Sequence, residues 1–481
     1  MSAPARPPGE PADGPANRPA ADAPPVRRWH AGLLWRPGTG VERDVLIEAT
    51  GDRFSAVSPG IPPAEAPPGT VRLDGFTLPG LANAHSHAFH RALRGVVQAG
   101  RGTFWTWRER MYEVAGRLTP DGYLALARAV FAEMSLAGVT CVGEFHYLHH
   151  GPDAVPYADP NAMGRVLLQA AAEAGLRITL LDTCYLAGGL SADGDSLPLA
   201  GPQMRFGDGD AARWAERVDA LGPDEHGMLA PHARAGAAIH SVRAVPPGQM
   251  PQIVAWTHRY GAPLHAHLSE QPAENAACQE AYSGTPAEVL DRAGVLGPRA
   301  TMVHATHLTE SDVQLLGGSR TCACFCPTTE ADLADGIGPA RALASAGSPL
   351  SAGSDSQAVV DLFAEARGIE LTQRLATGQR GNFTAIELAT AATVAGHACL
   401  GWPDAGEIVP GALADLVTVG LDTPRLAGTA EATALESVMF AATAADVRHV
   451  VSGGRDVVSG GQHLLIDDVP AAMSAALAEL A

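Results

Sequence analysis

Two histidines spaced by one residue, His85 and His87, follow Pro79-Gly80 and the apolar residues Val71, Leu73, Phe76 and Leu78. On a strand, residues i and i+2 point to the same side, so the pair can aim two imidazole nitrogens at one ion, which suits zinc. A lone His-x-His also occurs by chance in polar loops. Here, however, later apolar runs end in further metal-ligand types: His265-Ala-His267, Val303-His304 and Gly353-Ser-Asp355. Zinc sites that perform hydrolysis use three or four protein ligands and keep a position open for water, whose pKa the ion lowers. His85 and His87 supply two ligands and His267 a third. Asp355 is a fourth, or a base for the water. His265 shares a face with His267, and alternation does not choose between them. Glu270, three residues past His267, can fold back on a turn and carry a proton from water to a leaving nitrogen. His304 ends its strand, where it can polarise a substrate or orient water. His307 and the group His146, His149 and His150 are further candidates, each read first as structural or solvent-facing.

Several strands that each deliver one ligand at the C-terminal end build the site of a (β/α)8 barrel. The pattern between the ligands agrees. Strand-like runs at 140–145, 177–181, 227–230, 263–267, 300–304, 321–326 and 350–353 alternate with helical stretches. One such helix spans 120–138, with Thr119 as a cap before Pro120. Strand–helix alternation favours an α/β fold with a parallel sheet. A doubly wound open sheet is the alternative, but no GxGxxG follows a strand. Residues 1–26 are mostly Pro, Ala and Gly and read as a disordered tail. Short β-like pieces with Gly- and Pro-rich turns mark 27–75 (at 31–35, 43–47 and 54–57) and 401–481 (at 406–409, 416–419, 449–452 and 455–458). These two ends are read as one small β-sandwich domain, with a terminal helix, and the TIM-like barrel of 76–400 is inserted between them.

With 481 residues, 46% of them hydrophobic, the chain can bury a large core. A net charge of −19 argues against nucleic acid or an anionic membrane as partner, and an anionic substrate would need local arginines. The 7 cysteines are odd in number and thinly spread, which fits a reducing cytoplasm and no disulfide framework. Cys322, Cys324 and Cys326 share one strand face and read as buried small apolar residues rather than a thiolate site. No apolar run approaches the roughly 18 residues of a membrane span, and the N-terminus lacks the order of a signal peptide.

Taken together and in this order, Pro-Gly with His85-Ser-His87, then His267-Leu-Ser-Glu270, Val303-His304 and Gly353-Ser-Asp355, resemble the amidohydrolase superfamily in its mononuclear deaminase branch. No lysine stands on a middle strand to bridge two metals as a carbamate. Within that branch the chain resembles the formimidoylglutamate deiminases of histidine degradation. The resemblance is carried by His85-Ser-His-Ala-Phe-His-Arg-Ala-Leu-Arg-Gly95, Phe104-Trp-Thr-Trp-Arg-Glu-Arg-Met-Tyr112, Gly143-Glu-Phe-His-Tyr-Leu-His-His150, Ile239-His-Ser-Val-Arg-Ala-Val245 and Cys326-Pro-Thr-Thr-Glu-Ala-Asp-Leu-Ala-Asp-Gly336.

The resemblance implies a barrel with a flanking β domain, and hydrolysis of N-formimino-L-glutamate to N-formyl-L-glutamate and ammonia. It implies one zinc on His85, His87, His267 and Asp355, with proton transfer by Glu270, His304 and Asp355. His90, Arg108, Tyr147, His240 and Arg243 are expected around the substrate, and a homodimer is the usual assembly. His90 departs from the pattern, since the family often has Gln there.

The residues agree in kind. The substrate carries two carboxylates, and arginine offers fixed, bidentate donors for them. Arg108 and Arg243 stand in apolar or aromatic stretches, each a carboxylate contact or a structural ion pair. Phe104, Trp105 and Trp107 read as the packing of a lid or loop. Glu144 follows a buried strand and can pair with an arginine. Glu330 lies in an expected loop, 327–336, where it could orient other groups. Rival readings are another deaminase of the superfamily, acting on a purine, pterin or guanidino compound, and a barrel that binds without catalysis. A full ligand set with a proton carrier argues against the last.

Overall fold

The computed structural model describes Met1 and residues 25–480, so the expected tail lies almost wholly outside the described residues. Eight parallel strands run Leu81–Ser86, Val139–His146, Arg177–Cys184, Ala233–Ile239, Leu264–Leu268, Ala300–His304, Cys322–Phe325 and Leu350–Ala352, each beside the next. The last meets the first just beyond their ends. Asp355 N–H donates to His85 O at 3.0 Å and His87 N–H donates to Asp355 O at 3.2 Å. The sheet thus closes through three of the expected metal ligands, His85, His87 and Asp355. Val139–His146 and Arg177–Cys184 are buried along their whole length, as strands covered on both faces must be.

The helices between them form for local reasons. In Pro120–Leu136 the Thr119 side chain accepts from Gly122 N–H and Pro120 opens the first turn. Tyr123, Leu126, Val130 and Phe131 then face the barrel. Gly353 is required where the last strand passes the first, because a Cβ there would lie 2.8 Å from both His85 Cβ and His85 O.

Strands from both chain ends form one eight-stranded path. Its order is Gln462–His463, Arg455–Ser459, Val447–Ser452, Leu416–Val419, Val71–Pro79, Val26–Arg36, Gly40–Thr50 and Arg53–Ser58. The two ends meet where Leu416–Val419 runs antiparallel to Val71–Pro79. Trp29, Leu34, Ile47, Phe54 and Leu416 fill a core of their own. Arg177 of the third barrel strand reaches across to Asp415, at 3.0 and 3.2 Å, with both side chains buried.

Several expected elements differ. The fourth barrel strand is Ala233–Ile239, and 228–230 is only a short antiparallel partner to it. The segment 406–409 is not a strand; Ile408 instead packs into the end-built core. Val71–Pro79 carries the end-built sheet past the expected limit at 75. Residues 327–332 form a short helix rather than a loop, and Phe104–Arg117, Leu362–Thr377 and Ala434–Ala441 are helices that periodicity did not reveal. The terminal helix, Val469–Ala478, packs on Pro120–Leu136. Among the described residues, no helix is long and apolar enough to cross a membrane.

Candidate active site

The C-terminal ends of the strands converge on one buried centre. His85 Nε2 lies 3.2 Å from His267 Nε2 and 3.2 Å from Asp355 Oδ1, and His87 Nε2 lies 3.5 Å from the same oxygen. His87 donates Nδ1–H to Phe145 O and His267 donates Nδ1–H to His240 O, both at 2.9 Å. Those bonds leave each Nε2 as a bare lone pair aimed at the centre. Burial pushes His85, His87 and His267 below the ordinary imidazole range, so all three are neutral. Burial alone would raise Asp355, but His85, His304 and His87 hold it far below the usual carboxylate range. These buried imidazoles and the carboxylate could hold a divalent ion, and two overlapping groups, His85–His87–Asp355 and His85–His267–His304, each lie within ligand reach.

His265 is excluded from the centre, because its Nε2 bonds Cys399 O at 3.0 Å, inside the barrel. His307 bonds Asp335 O at 2.7 Å. His146, His149 and Asp182 also lie within ligand reach of one another. There, however, Asp182 takes two bonds from Arg217, at 2.8 and 2.9 Å, and one from Trp214 at 3.1 Å. A carboxylate already spent on a guanidinium has little left for a cation. Cys322, Cys324 and Cys326 pack with Val303, Leu400 and Trp402 in an apolar cluster, and all 7 cysteines are free.

The expected proton carriers, Glu270 and His304, stand beside the residues of this centre. His304 Nε2 is 3.9 Å from Glu270 Oε1 and 4.0 Å from Asp355 Oδ2, and its Nδ1 is 3.5 Å from Glu330 Oε1. Burial would lower His304, but the carboxylates of Glu270, Glu330 and Asp355 raise it well above its ordinary value. Burial raises Glu270, against the pull of His304 and Arg243. His304 and Asp355 both have positive φ, +68° and +42°, strain of the kind that collects at functional sites.

Below the centre, a hydrogen-bonded chain holds the strand ends in place. Among the described residues, Glu144 pairs with no arginine. It accepts from Ser86 Oγ at 2.6 Å, Ala88 N–H at 2.7 Å and Tyr123 Oη at 3.4 Å, and burial pushes it up to about 8. Gln357 links the same serine to Ser354, next to Asp355, and Asn83 bonds Ser354 through its side-chain oxygen and nitrogen.

A pocket opens from the centre, and His90, Arg108, Tyr147, His240 and Arg243 all line it. His90 Nε2 bonds Tyr147 Oη at 2.9 Å, and burial lowers His90 to about 3, so it is neutral. Arg243 lies near Glu274 (Nε–Oε2 3.5 Å) and Glu270 (Nη2–Oε2 4.0 Å), and its buried Nε has no hydrogen-bond acceptor. Arg108 lies over the rings of Trp105 and Tyr112, at 4.9 and 5.5 Å. Trp107, Tyr112, Tyr185 and Phe206 also form the walls. Trp107, expected only to pack, stands edge-on to His90 with ring centroids 5.1 Å apart. Tyr185 was not legible in the sequence, where the strand read at 177–181 ends before it; the strand runs Arg177–Cys184 and Tyr185 follows it.

Residues 76–457 match the Amidohydrolase family. The chain belongs to the amidohydrolase family. It is 36% identical over 436 residues to a formimidoylglutamate deiminase of Pseudomonas aeruginosa, covering 88% of this chain and 93% of that one. It is 30% identical over 394 residues to an 8-oxoguanine deaminase of the same species, covering 80% and 82%. A solved amidohydrolase from Brucella melitensis superposes with a TM-score of 0.85 at 31% identity, over 94% of this chain and 99% of that one. This amidohydrolase is thus a deaminase-type hydrolase of carbon–nitrogen bonds. It contains no lysine at all, which removes a carbamylated bridge between two metals as an option.

Proposed function

We propose that this amidohydrolase deiminates N-formimino-L-glutamate to N-formyl-L-glutamate and ammonia, with one zinc ion, as a step in histidine degradation. One observation carries the reading. Arg243 is a buried guanidinium that lines the pocket, held by Glu274 at 3.5 Å and Glu270 at 4.0 Å, and a guanidinium fixed there fits a substrate carboxylate. Arg108, on the helix over the pocket, supports it, as does the 36% identity to a formimidoylglutamate deiminase.

His85, His87, His267 and Asp355 would hold the ion, which supplies Lewis-acid activation of water near neutral pH. Asp355 accepts a proton from the attacking water, and His304 donates a hydrogen bond to the charge that develops on the formimino group. Glu270 gives a proton to the formimino nitrogen as the water oxygen adds, and recovers one from the new hydroxyl as the bond breaks. The proton held by Asp355 passes to the same nitrogen, which leaves as ammonia. The C–N bond breaks and the water oxygen becomes the formyl oxygen. Arg243, Arg108, Tyr147, His240 and His90 hold the two carboxylates.

The aromatic walls favour an aminopurine as the second reading. Substrate labelled with ¹³C at the formimino carbon separates the outcomes. The label should appear in N-formyl-L-glutamate, with one ammonia per turnover. Label in formamide would mean that the other C–N bond is cut. An unchanged label, with turnover of an aminopurine, would replace the substrate.

A further inference from the structure

Arg205 ends the turn Gly201–Arg205, on the loop after the third barrel strand, and is 2% exposed. Its guanidinium meets no carboxylate among the described residues. Nε donates to His150 O at 2.8 Å, Nη2 donates to Leu118 O at 2.7 Å and to Tyr157 Oη at 3.2 Å, and Nη1 donates to Ala115 O. Ala115 lies in the last turn of the helix Phe104–Arg117 and Leu118 caps it. Arg205 therefore satisfies carbonyls that a helix end leaves without partners, and it brings a cation to the negative end of the dipole. In return its own carbonyl accepts His149 N–H at 3.0 Å and His150 N–H at 2.9 Å. One residue thus joins two walls of the pocket: the helix bearing Trp107, Arg108 and Tyr112, and the loop that starts with Tyr147. A buried charge without a counter-ion is costly for stability alone. What it gains here is a fixed spacing between those walls.

We propose that Arg205 is a positioning residue for substrate recognition, holding the helix Phe104–Arg117 and the Tyr147 loop at the separation that Arg108 and Tyr147 need. It touches no reacting group. The inference rests on the reading that Arg108 and Tyr147 contact the substrate.

The test uses the full metal-loaded chain, with Arg205→Lys examined by amide hydrogen exchange and by steady-state kinetics on N-formimino-L-glutamate. Exchange should rise at 104–118 and 147–150 and stay unchanged in the barrel strands. KM should rise about tenfold or more while kcat stays within about threefold. A purely structural arginine would lower thermal stability and leave the KM of the folded enzyme alone. Tyr157→Phe removes a single acceptor and should move both readouts the same way by a smaller amount. Unchanged exchange at 104–118 in both variants, or a loss of kcat at constant KM, would overturn the proposal. If the wild type does not turn over N-formimino-L-glutamate, the substrate reading fails. The exchange result still decides whether Arg205 holds the helix, and KM is then read on the substrate that is turned over.

Discussion

Glu270 follows the fifth barrel strand, and burial raises its carboxyl, which suits the proton-carrying role proposed for it. Replacing it with Gln keeps the shape and removes the titration. Glu270→Gln is expected to retain one metal per chain and to lose about 10²–10⁴-fold in kcat, as removal of a general acid–base does. Metal analysis beside kinetics checks this, and near-normal turnover would remove Glu270 from the mechanism. Arg243→Met should act differently, raising KM about tenfold or more with a smaller effect on kcat, because it removes a substrate anchor. An unchanged KM would end that role. At this scale much was legible, since His85, His87, His267, Glu270, His304 and Asp355 all reach one centre. The choice of His267 over His265 came from the resemblance and not from strand alternation. Both point off the same strand face, and only the level along the barrel, set by Cys399 O, separates them. Arg205 and Tyr185 carried no signal either, since their partners are backbone carbonyls or side chains remote in sequence.

The elements deliver these side chains by closing the barrel at the metal site itself. Gly353 is the tightest point of that closure. Gly353→Ala would place a methyl 2.8–2.9 Å from His85 atoms and force the first and last strands apart. We expect metal affinity to fall about 10–100-fold, comparable to losing the support of a ligand, with most of the fold retained. Metal titration measures it, and unaltered affinity would mean that the strands can give way. The fourth strand escaped sequence reading for a physical reason. Ala-Arg-Ala-Gly-Ala-Ala-Ile lacks the bulky β-formers that mark a strand. Small residues are needed there, since a Cβ at Gly236 would meet Leu181 Cδ2 at 2.8 Å. The helix Phe104–Arg117 was hidden likewise, because its buried face, Phe104, Met111 and Ala115, is sparse, and Trp107 and Tyr112 line the pocket.

Across the whole molecule, the end-built sheet and the barrel are joined at Arg177–Asp415. Both side chains are buried, and Asp415 also accepts Gly453 N–H at 2.7 Å. Asp415→Ala would leave the guanidinium uncompensated and is expected to cost about 3–5 kcal/mol. Denaturant unfolding should register that loss, with kcat of the folded enzyme little changed; a shift below about 1 kcal/mol would argue against a stabilising joint. The split of one sheet between both chain ends was legible from the short strands and Gly-rich turns, whereas its single path and the reach of Val71–Pro79 depended on pairing between remote segments. An overall charge of −19 would repel the proposed dicarboxylate substrate, so its recognition would have to be local, in the arginines of the pocket.

The most direct test is therefore ammonia release by zinc-loaded protein from N-formimino-L-glutamate, run beside aminopurines. Release from N-formimino-L-glutamate, with a kcat/KM at least about 10³-fold above that for any purine, is the expected result for a pocket built around paired carboxylates. Release from a purine alone would contradict the account, leaving the metal barrel in place and the roles of Arg108 and Arg243 to be reassigned.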